Sequence, residues 1–373
     1  MMWVFLIAGS LILLALMGYS VLRGYHLWLR NRIPNAVYIV LQVILLGALF
    51  VCYCGFIPLP NEVLREVLQI ISAIYLAVLL YTPVFCFFRG VIRFIGKRRK
   101  SRGRVYRFFN HPSKSIYIIL GITACLGVFS VFRMRYVQVR EYPMTMEKKM
   151  EEKEYSIAVL ADLHLGTGVT RWSLDSLIEK TNEKKPDVIV LLGDIFDENT
   201  TEELKGYAAE RMKQFSARHG VFYVDGNHED NLSGDVTSYF TSAGITVLRN
   251  QTASLANGVQ LVGVEEQKEE DRVDLSRLMK NLDREKPIVV LSHRPEQLPD
   301  MSAAGADAAL CAHTHGGRYP FSWLFLPFFN DMIYGVKQYG AMSAITTSGA
   351  GGYGVPAKLT APSEIVYVQI SFS

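Results

Sequence analysis

The sequence predicts an α/β domain preceded by an all-α membrane domain, and three observations carry that reading. Four apolar stretches crowd the first 140 residues: Met2–Leu22, Ala36–Phe56, Val67–Phe88 and Ile116–Phe132. From residue 155 onward, short apolar β-rich runs alternate with amphipathic segments, the pattern of an α/β sheet. Charge divides near the same place. Residues 1–140 hold 17 Lys/Arg against 2 Asp/Glu (+15), whereas residues 141–373 hold 22 against 33 (−11). The expected organisation is a membrane domain over 1–140 with four transmembrane helices, a charged linker over 141–154, and the α/β domain over 155–373.

A spanning helix needs about 20 apolar residues, which the first three stretches supply. The fourth is shorter but carries no charge. Met2–Leu22 lacks the basic start and the Ala-x-Ala site of a signal peptide, so it reads as a retained span. The segment Arg89–Lys114 carries ten basic residues and no acidic one, and short Lys/Arg-rich loops stay cytoplasmic. The first loop, with Arg23, Arg30 and Arg32, agrees. Arg133, Arg135 and Arg140 compete and are outnumbered. The expectation is a multi-pass protein of the cell membrane with its α/β domain on the extracytoplasmic side. The basic half then reflects topology and contact with anionic membrane lipids. With the α/β domain at −11, no nucleic-acid partner is expected. Only Cys311 among the five cysteines lies in that domain, so no disulfide framework is available there.

Within the α/β domain, helices are expected at Arg171–Lys185, Thr201–His219, Asp235–Ala243 and Leu275–Asp283. Strands are expected near 245–248, 259–264, 307–311, 341–347 and 364–370, besides the apolar runs Tyr155–Ala161, Asp187–Leu192, Gly220–Val224 and Pro287–Leu291. Polar clusters follow these runs: Asp162-Leu163-His164, Gly193-Asp194-Ile195-Phe196-Asp197, Gly226-Asn227-His228-Glu229, Ser292-His293 and Ala312-His313-Thr314-His315-Gly316. Five of the eight histidines fall within them. Carboxyl ends of strands are where open α/β sheets gather their sites. Carboxylate and amide oxygens mixed with imidazole, and no thiolate nearby, suit Mn, Fe or Zn. Residues two apart in a strand point the same way, so Asp162 and His164, or His313 and His315, are expected to reach a common site.

This set, in this order, resembles the calcineurin-like metallophosphoesterases. Gly316-Gly317 and the tail Thr347–Gly354 are similar to the membrane-associated bacterial (YkuE/YaeI-like) branch of that family. The resemblance implies a four-layer sandwich of two mixed β-sheets flanked by helices. It also implies two divalent metal ions, with Mn favoured. One would take Asp162, His164, Asp194 and His315; the other, Asp194, Asn227, His293 and His313. His228 would face the leaving group, with Asp197 orienting its ring, unless Asp197 is simply a helix N-cap. Arg294 and Arg318 would bind phosphate oxygens through their planar forks, or stand as ordinary solvated arginines. Two departures from the family pattern are Ala312, where relatives usually have Gly, and Arg318, where Gln is frequent.

The aromatic run Tyr319–Phe329 directly follows the histidine pair. It either packs on the domain's own core or forms a lip that meets the membrane or an acyl chain. The function expected is a metal-dependent phosphoesterase acting on phosphodiester or pyrophosphate bonds, a lipid-linked substrate among them. The alternatives are a phosphomonoesterase or protein phosphatase, and a non-catalytic membrane scaffold or sensor that retains the fold. Oligomeric state is not readable from the sequence.

Overall fold

A computed structural model describes residues 14–26, 35–54, 61–100, 103–111, 113–232, 234–266 and 272–373. The chain separates after Phe132 into two compact units.

The first unit is helical. Residues 14–26 form α1, followed by α2 (Asn35–Cys54), α3 (Glu62–Arg98), the short α4 (Arg104–Asn110) and α5 (Lys114–Arg135). Among the described residues three helices, α2, α3 and α5, are long and apolar enough to cross a membrane. That is three rather than the four expected, and residues 2–13 of the stretch Met2–Leu22 lie outside the described residues. α3 begins where the Asn61 side chain accepts the Leu64 N–H at 2.9 Å and continues past Phe88 to Arg98. The first third of the expected basic loop is therefore helix. At 37 residues α3 is about 55 Å long, well beyond the hydrocarbon thickness. α5 crosses it closely: a Cβ on Gly127 would stand 2.7 Å from Ile74 Cα, so a glycine is required there.

The second unit is built on two six-stranded sheets. In chain order it runs β1 (Val137–Met146), β2 (Glu154–Leu160), α6 (Arg171–Glu183), β3 (Val188–Leu192), α7 (Glu202–Met212) and β4 (Val221–Val224). There follow α8 (Asn227–Asp230), α9 (Thr237–Ser242), β5 (Thr246–Val247), β6 (Gln251–Ser254), β7 (Gln260–Val264) and α10 (Leu275–Leu278). The remainder is β8 (Ile288–Ser292), α11 (Leu298–Ala303), β9 (Ala308–Cys311), β10 (Gly335–Tyr339), β11 (Met342–Thr346) and β12 (Ser363–Phe372). One sheet has the order β1-β12-β2-β3-β4-β5 and the other β10-β11-β9-β8-β7-β6. Both are mixed: β12 runs antiparallel to β2 and parallel to β1, and β6 and β10 close the second sheet in antiparallel fashion.

Strand periodicity decides the layers. Ile157, Val159, Val188, Val190 and Leu192 of the first sheet share one core with Leu261, Val289, Leu291 and Leu310 of the second. The alternate residues Ala158, Leu160, Ile189 and Leu191 face outward onto Leu174 and Leu177 of α6 and Leu204 and Ala208 of α7. On the far side, Ile288, Val290 and Ala309 pack on Leu298, Met301 and Leu275. The result is helices, sheet, sheet, helices, so the expected four-layer arrangement is present. Central strands buried on both faces read as unbroken apolar runs, which is why they stood out in the sequence.

Three expectations need correction. Residues 141–146, expected as the start of a charged linker, complete β1, which pairs with β12 from Val137↔Ser363 to Met146↔Phe372. Its outer face is exposed, so polar residues alternate along it and mask the strand. The helix expected over Thr201–His219 ends at Met212, and that over Leu275–Asp283 is a single turn. β6 and β10, polar edge strands, were not anticipated.

Candidate metal centre

Each polar cluster leaves the carboxyl end of a buried strand or the turn just beyond it. β2 delivers Asp162 and His164, β3 Asp194 and Asp197, β4 Asn227 and His228, β8 His293, and β9 His313 and His315. The ligand-type residues do not lie in pleated strand, however. Asp162 (φ 53°), His164 (43°), Asp194 (52°), His313 (71°) and His315 (50°) all occupy the left-handed region. These five are the majority of the eight non-glycine residues with positive φ among those described. The expected i, i+2 convergence is thus achieved by left-handed turns and not by the pleat. Such backbone costs on the order of 1 kcal/mol per residue and gathers where function over-determines it. Glycine makes the turns fit: a Cβ on Gly226 would lie 2.3 Å from Asp194 Oδ1, and one on Gly349 2.5 Å from Asp162 Cβ.

Three groups of candidate ligand atoms form, each within 4.8 Å: Asp162, His164 and His315; His164, Asp194 and His228; Asp194, His293 and His313. Asp194 is common to the last two. Its Oδ2 lies 3.7 Å from His164 Nε2 and 3.1 Å from His293 Nε2, while Oδ1 accepts the His228 backbone N–H at 2.9 Å. Burial opposes its charge, but His293 and His164 outweigh it and hold the carboxyl well below its ordinary value. Asp162 Oδ1 and Oδ2, His164 Nε2, Asn227 Oδ1, His293 Nε2, His313 Nδ1 and His315 Nδ1 are all buried without a hydrogen-bond partner. Orphaned buried polar atoms are rare and costly. Orphaned atoms of Asp162, His164 and His315 in one group and of His293 and His313 in another, with Asp194 grouped with His164 and with His293, are what divalent cations would satisfy. Burial keeps His313 and His315 neutral, their pKa well below the ordinary imidazole value, which leaves a lone pair for a metal. Six of the seven expected ligands fall in these groups; the seventh, Asn227, has a buried side-chain oxygen without a partner. Ala312, with its N–H on the His293 carbonyl at 2.9 Å, sits in the core without disturbing them.

A supporting shell fixes these groups. His293 Nδ1 meets the Leu192 carbonyl at 2.7 Å, and His164 Nδ1 lies 3.1 Å from Asp197 Oδ2. The Glu229 carboxylate accepts four backbone N–H groups, from Asp194 (2.7 Å), Ile195 (2.6 Å), Phe196 (2.9 Å) and Gly226 (3.1 Å), tying the turns after β3 and β4 together. Sequence reasoning missed this role. The signal available was a Glu three residues after Gly226 at a helix start, the second half of a capping box. Lys358 was also missed: it is fully buried and donates to the Ser348 carbonyl at 2.6 Å and the Gly349 carbonyl at 3.2 Å, behind Asp162.

Two expected roles are corrected. Asp197 does not orient His228, since its carboxylate belongs to His164 and to the turn Asp197–Thr200. Nor does it cap α7, which Thr201 caps. The partner of His228 is Glu198, with Oε2 2.9 Å from Nδ1. Burial works against a proton on His228, but Glu198 and Asp194 prevail and raise its pKa. Its ring packs against both His164 (centroids 4.8 Å apart) and Tyr353 (4.4 Å). Glu198→Gln should therefore lower kcat by about 10-fold while leaving metal content unchanged. Asp197→Asn should instead weaken metal binding through His164. Steady-state kinetics beside metal analysis of both variants would check this, and the reverse pattern would restore the Asp197–His228 assignment.

The arginines are corrected too. Arg318 donates to the carbonyls of Ala357 (3.0 Å), Tyr353 and Val355; its fork is consumed in holding the loop that carries Tyr353. Arg294 is paired with Glu266 and, at 3.2 Å, with Glu296. The Arg318 guanidinium is therefore not open to a phosphate, whereas that of Arg294 is held on one side by two carboxylates.

The model of the family described as calcineurin-like phosphoesterase matches residues 155–317, the stretch that contains every candidate ligand. Over this stretch the chain is similar to the calcineurin-like phosphoesterases, and that match together with the metallophosphoesterase relatives supports a metal-dependent hydrolase of phosphoric esters. The chain is 28% identical over 376 residues to an uncharacterized metallophosphoesterase of Helicobacter pylori, covering 96% of each. A transmembrane protein with metallophosphoesterase domain from Danio rerio is 27% identical, over 91% of this chain and 81% of its own. The uncharacterized metallophosphoesterase YkuE of Bacillus subtilis is 28% identical, over 57% and 77% respectively. The likeness to the first two thus extends well beyond the phosphoesterase domain.

Proposed function

We propose that the chain is a membrane-anchored dimetal hydrolase of phosphodiester or pyrophosphate bonds, with lipid-linked esters as its substrate class. The observation that carries this reading is the pair of orphaned ligand sets that share Asp194. Asp162, His164, Asp194 and His315 would hold one cation, and Asp194, Asn227, His293 and His313 the other, with Mn the favoured metal. Two such ions, when bound, would supply Lewis-acid charge to a phosphoryl group and a water of lowered pKa. The residues around them do the rest. His228, held by Glu198, is placed to protonate the departing oxygen, and Tyr353 walls the site beside it.

The Arg318 fork, spent on backbone carbonyls, adds no fixed cation for a dianionic monoester, which supports a singly charged diester linkage. The three membrane-length helices among the described residues support anchoring. The ten basic residues of 89–114 support a cytoplasmic position for that segment and an extracytoplasmic one for the catalytic domain. The test is the purified full-length protein loaded with Mn and assayed on monoester, diester and lipid-pyrophosphate substrates. Faster turnover of a diester or a lipid pyrophosphate than of any monoester is expected. Two bound metals with no hydrolysis of any of the three would overturn the reading. A reporter fused to the C-terminus should report from the extracytoplasmic side.

A further inference from the structure

Apolar side chains are not scattered evenly over the catalytic unit. Of its seven large hydrophobic residues exposed to solvent among those described, four fall within six positions: Trp323 (43% exposed), Leu324 (68%), Phe325 (37%) and Phe328 (67%). They are carried on two short 3-10 turns, Pro320–Leu324 and Leu326–Phe328, each started by a proline at its first or second position. Neither turn has a fully buried residue; Tyr319, Phe321, Leu326 and Phe329 are half-buried, while the four named above face solvent. The turns are nonetheless held in place. The Trp323 indole N–H donates to the Gly316 carbonyl at 3.2 Å, and the Thr360 hydroxyl donates to the same carbonyl at 3.1 Å. Gly317 (φ 61°) has no room for a side chain, since a Cβ would meet Trp323 Nε1 at 2.8 Å. A rigid apolar lip is therefore fastened to the two residues that follow His315.

We propose that this lip inserts into the lipid bilayer. The occupant is argued from the chain itself. α5 ends at Arg135 and β1 starts at Val137, so a single residue, spanning roughly 3.5 Å, separates a membrane-length helix from the first strand of the catalytic domain. A tryptophan flanked by Leu and Phe on tight turns is the side-chain mixture that settles at the boundary of headgroups and acyl chains. Insertion there would bring headgroup phosphates to the depth of the adjoining ligand loop. The inference rests on the membrane-anchored part of the reading above and is independent of the hydrolytic part.

The experiment uses the full-length chain with Trp3, Trp28 and Trp172 replaced by Phe, reconstituted into phosphatidylcholine vesicles with either ordinary or bromine-labelled acyl chains. Bromine quenches indole emission at short range. Trp323 emission should fall at least about two-fold in the brominated vesicles. A companion chain retaining only Trp172, which is 61% exposed at the start of α6, should be unaffected. Leu324→Asp with Phe328→Asp should abolish the quenching of Trp323. Protein retained in the vesicles with Trp323 unquenched overturns the lip alone; if Trp323 is then also shielded from aqueous acrylamide, a protein partner covers the lip instead. Equal quenching of Trp172 overturns a specific lip. Protein washed from the vesicles overturns the anchored reading together with this inference.

Discussion

Asp194→Asn is expected to lower kcat by roughly 10³-fold, about 4 kcal/mol in transition-state stabilisation, with the fold intact. The amide has the shape of the carboxylate, and its oxygen can still accept the His228 N–H that Oδ1 accepts now. It cannot place a second anionic oxygen between His164 and His293, where Oδ2 lies 3.7 Å and 3.1 Å from their Nε2 atoms. The two ligand sets share no other carboxylate, so bound metal should drop from two ions per chain to one or fewer. Metal analysis of the purified variant beside its kinetics would check both halves. Full activity with two metals retained would remove the shared-carboxylate mechanism.

Glu229→Gln should act on stability first. Oε1 accepts the N–H groups of Ile195 and Phe196, and Oε2 those of Asp194 and Gly226. The substituted amide keeps only one acceptor oxygen and turns an NH₂ toward the other two donors. Two buried N–H groups then go unsatisfied, at about 1–3 kcal/mol each, so a loss of about 2–6 kcal/mol is expected. Because this carboxylate ties the turns after β3 and β4 together, metal affinity should weaken as well. Denaturant unfolding of the full chain would measure the first effect and metal titration the second. An unchanged unfolding midpoint would mean that the four donors find other acceptors.

The sequence disclosed the parts of this molecule that obey a simple period. β3 and β8 are buried at every position, and such runs announce themselves, as do the ligands that follow them. β1, β6 and β10 have a solvent face or an open edge, so their polar alternation resembles loop. The ligand set was legible because its chemistry is unusual whatever its backbone does; that the residues turn left-handed was not, since nothing in Asp-Leu-His distinguishes the two conformations. The assignment of Asp197 over Glu198 failed by a single residue. Which of two adjacent carboxylates faces His228 depends on the Thr200 hydroxyl and the Asn199 N–H drawing Asp197 into its own turn. The role of Arg318 depends on carbonyls 35 to 39 positions later, a pairing that no local pattern encodes.

The pairing of β1 with β12 also governs the order in which the domain can come into being. β1 and β2 lie on either side of β12, which follows every other strand in the chain. While the polypeptide is being synthesised, those two strands wait with bare edges, and the core lacks Val366, Val368 and Ile370. The first sheet therefore closes only after Ser363 and its successors have left the ribosome, a long-range closure of the kind that makes folding slow and exposes a chain to aggregation. Chains cut short of Ser363 should accumulate as insoluble protein even though every candidate metal ligand is already present.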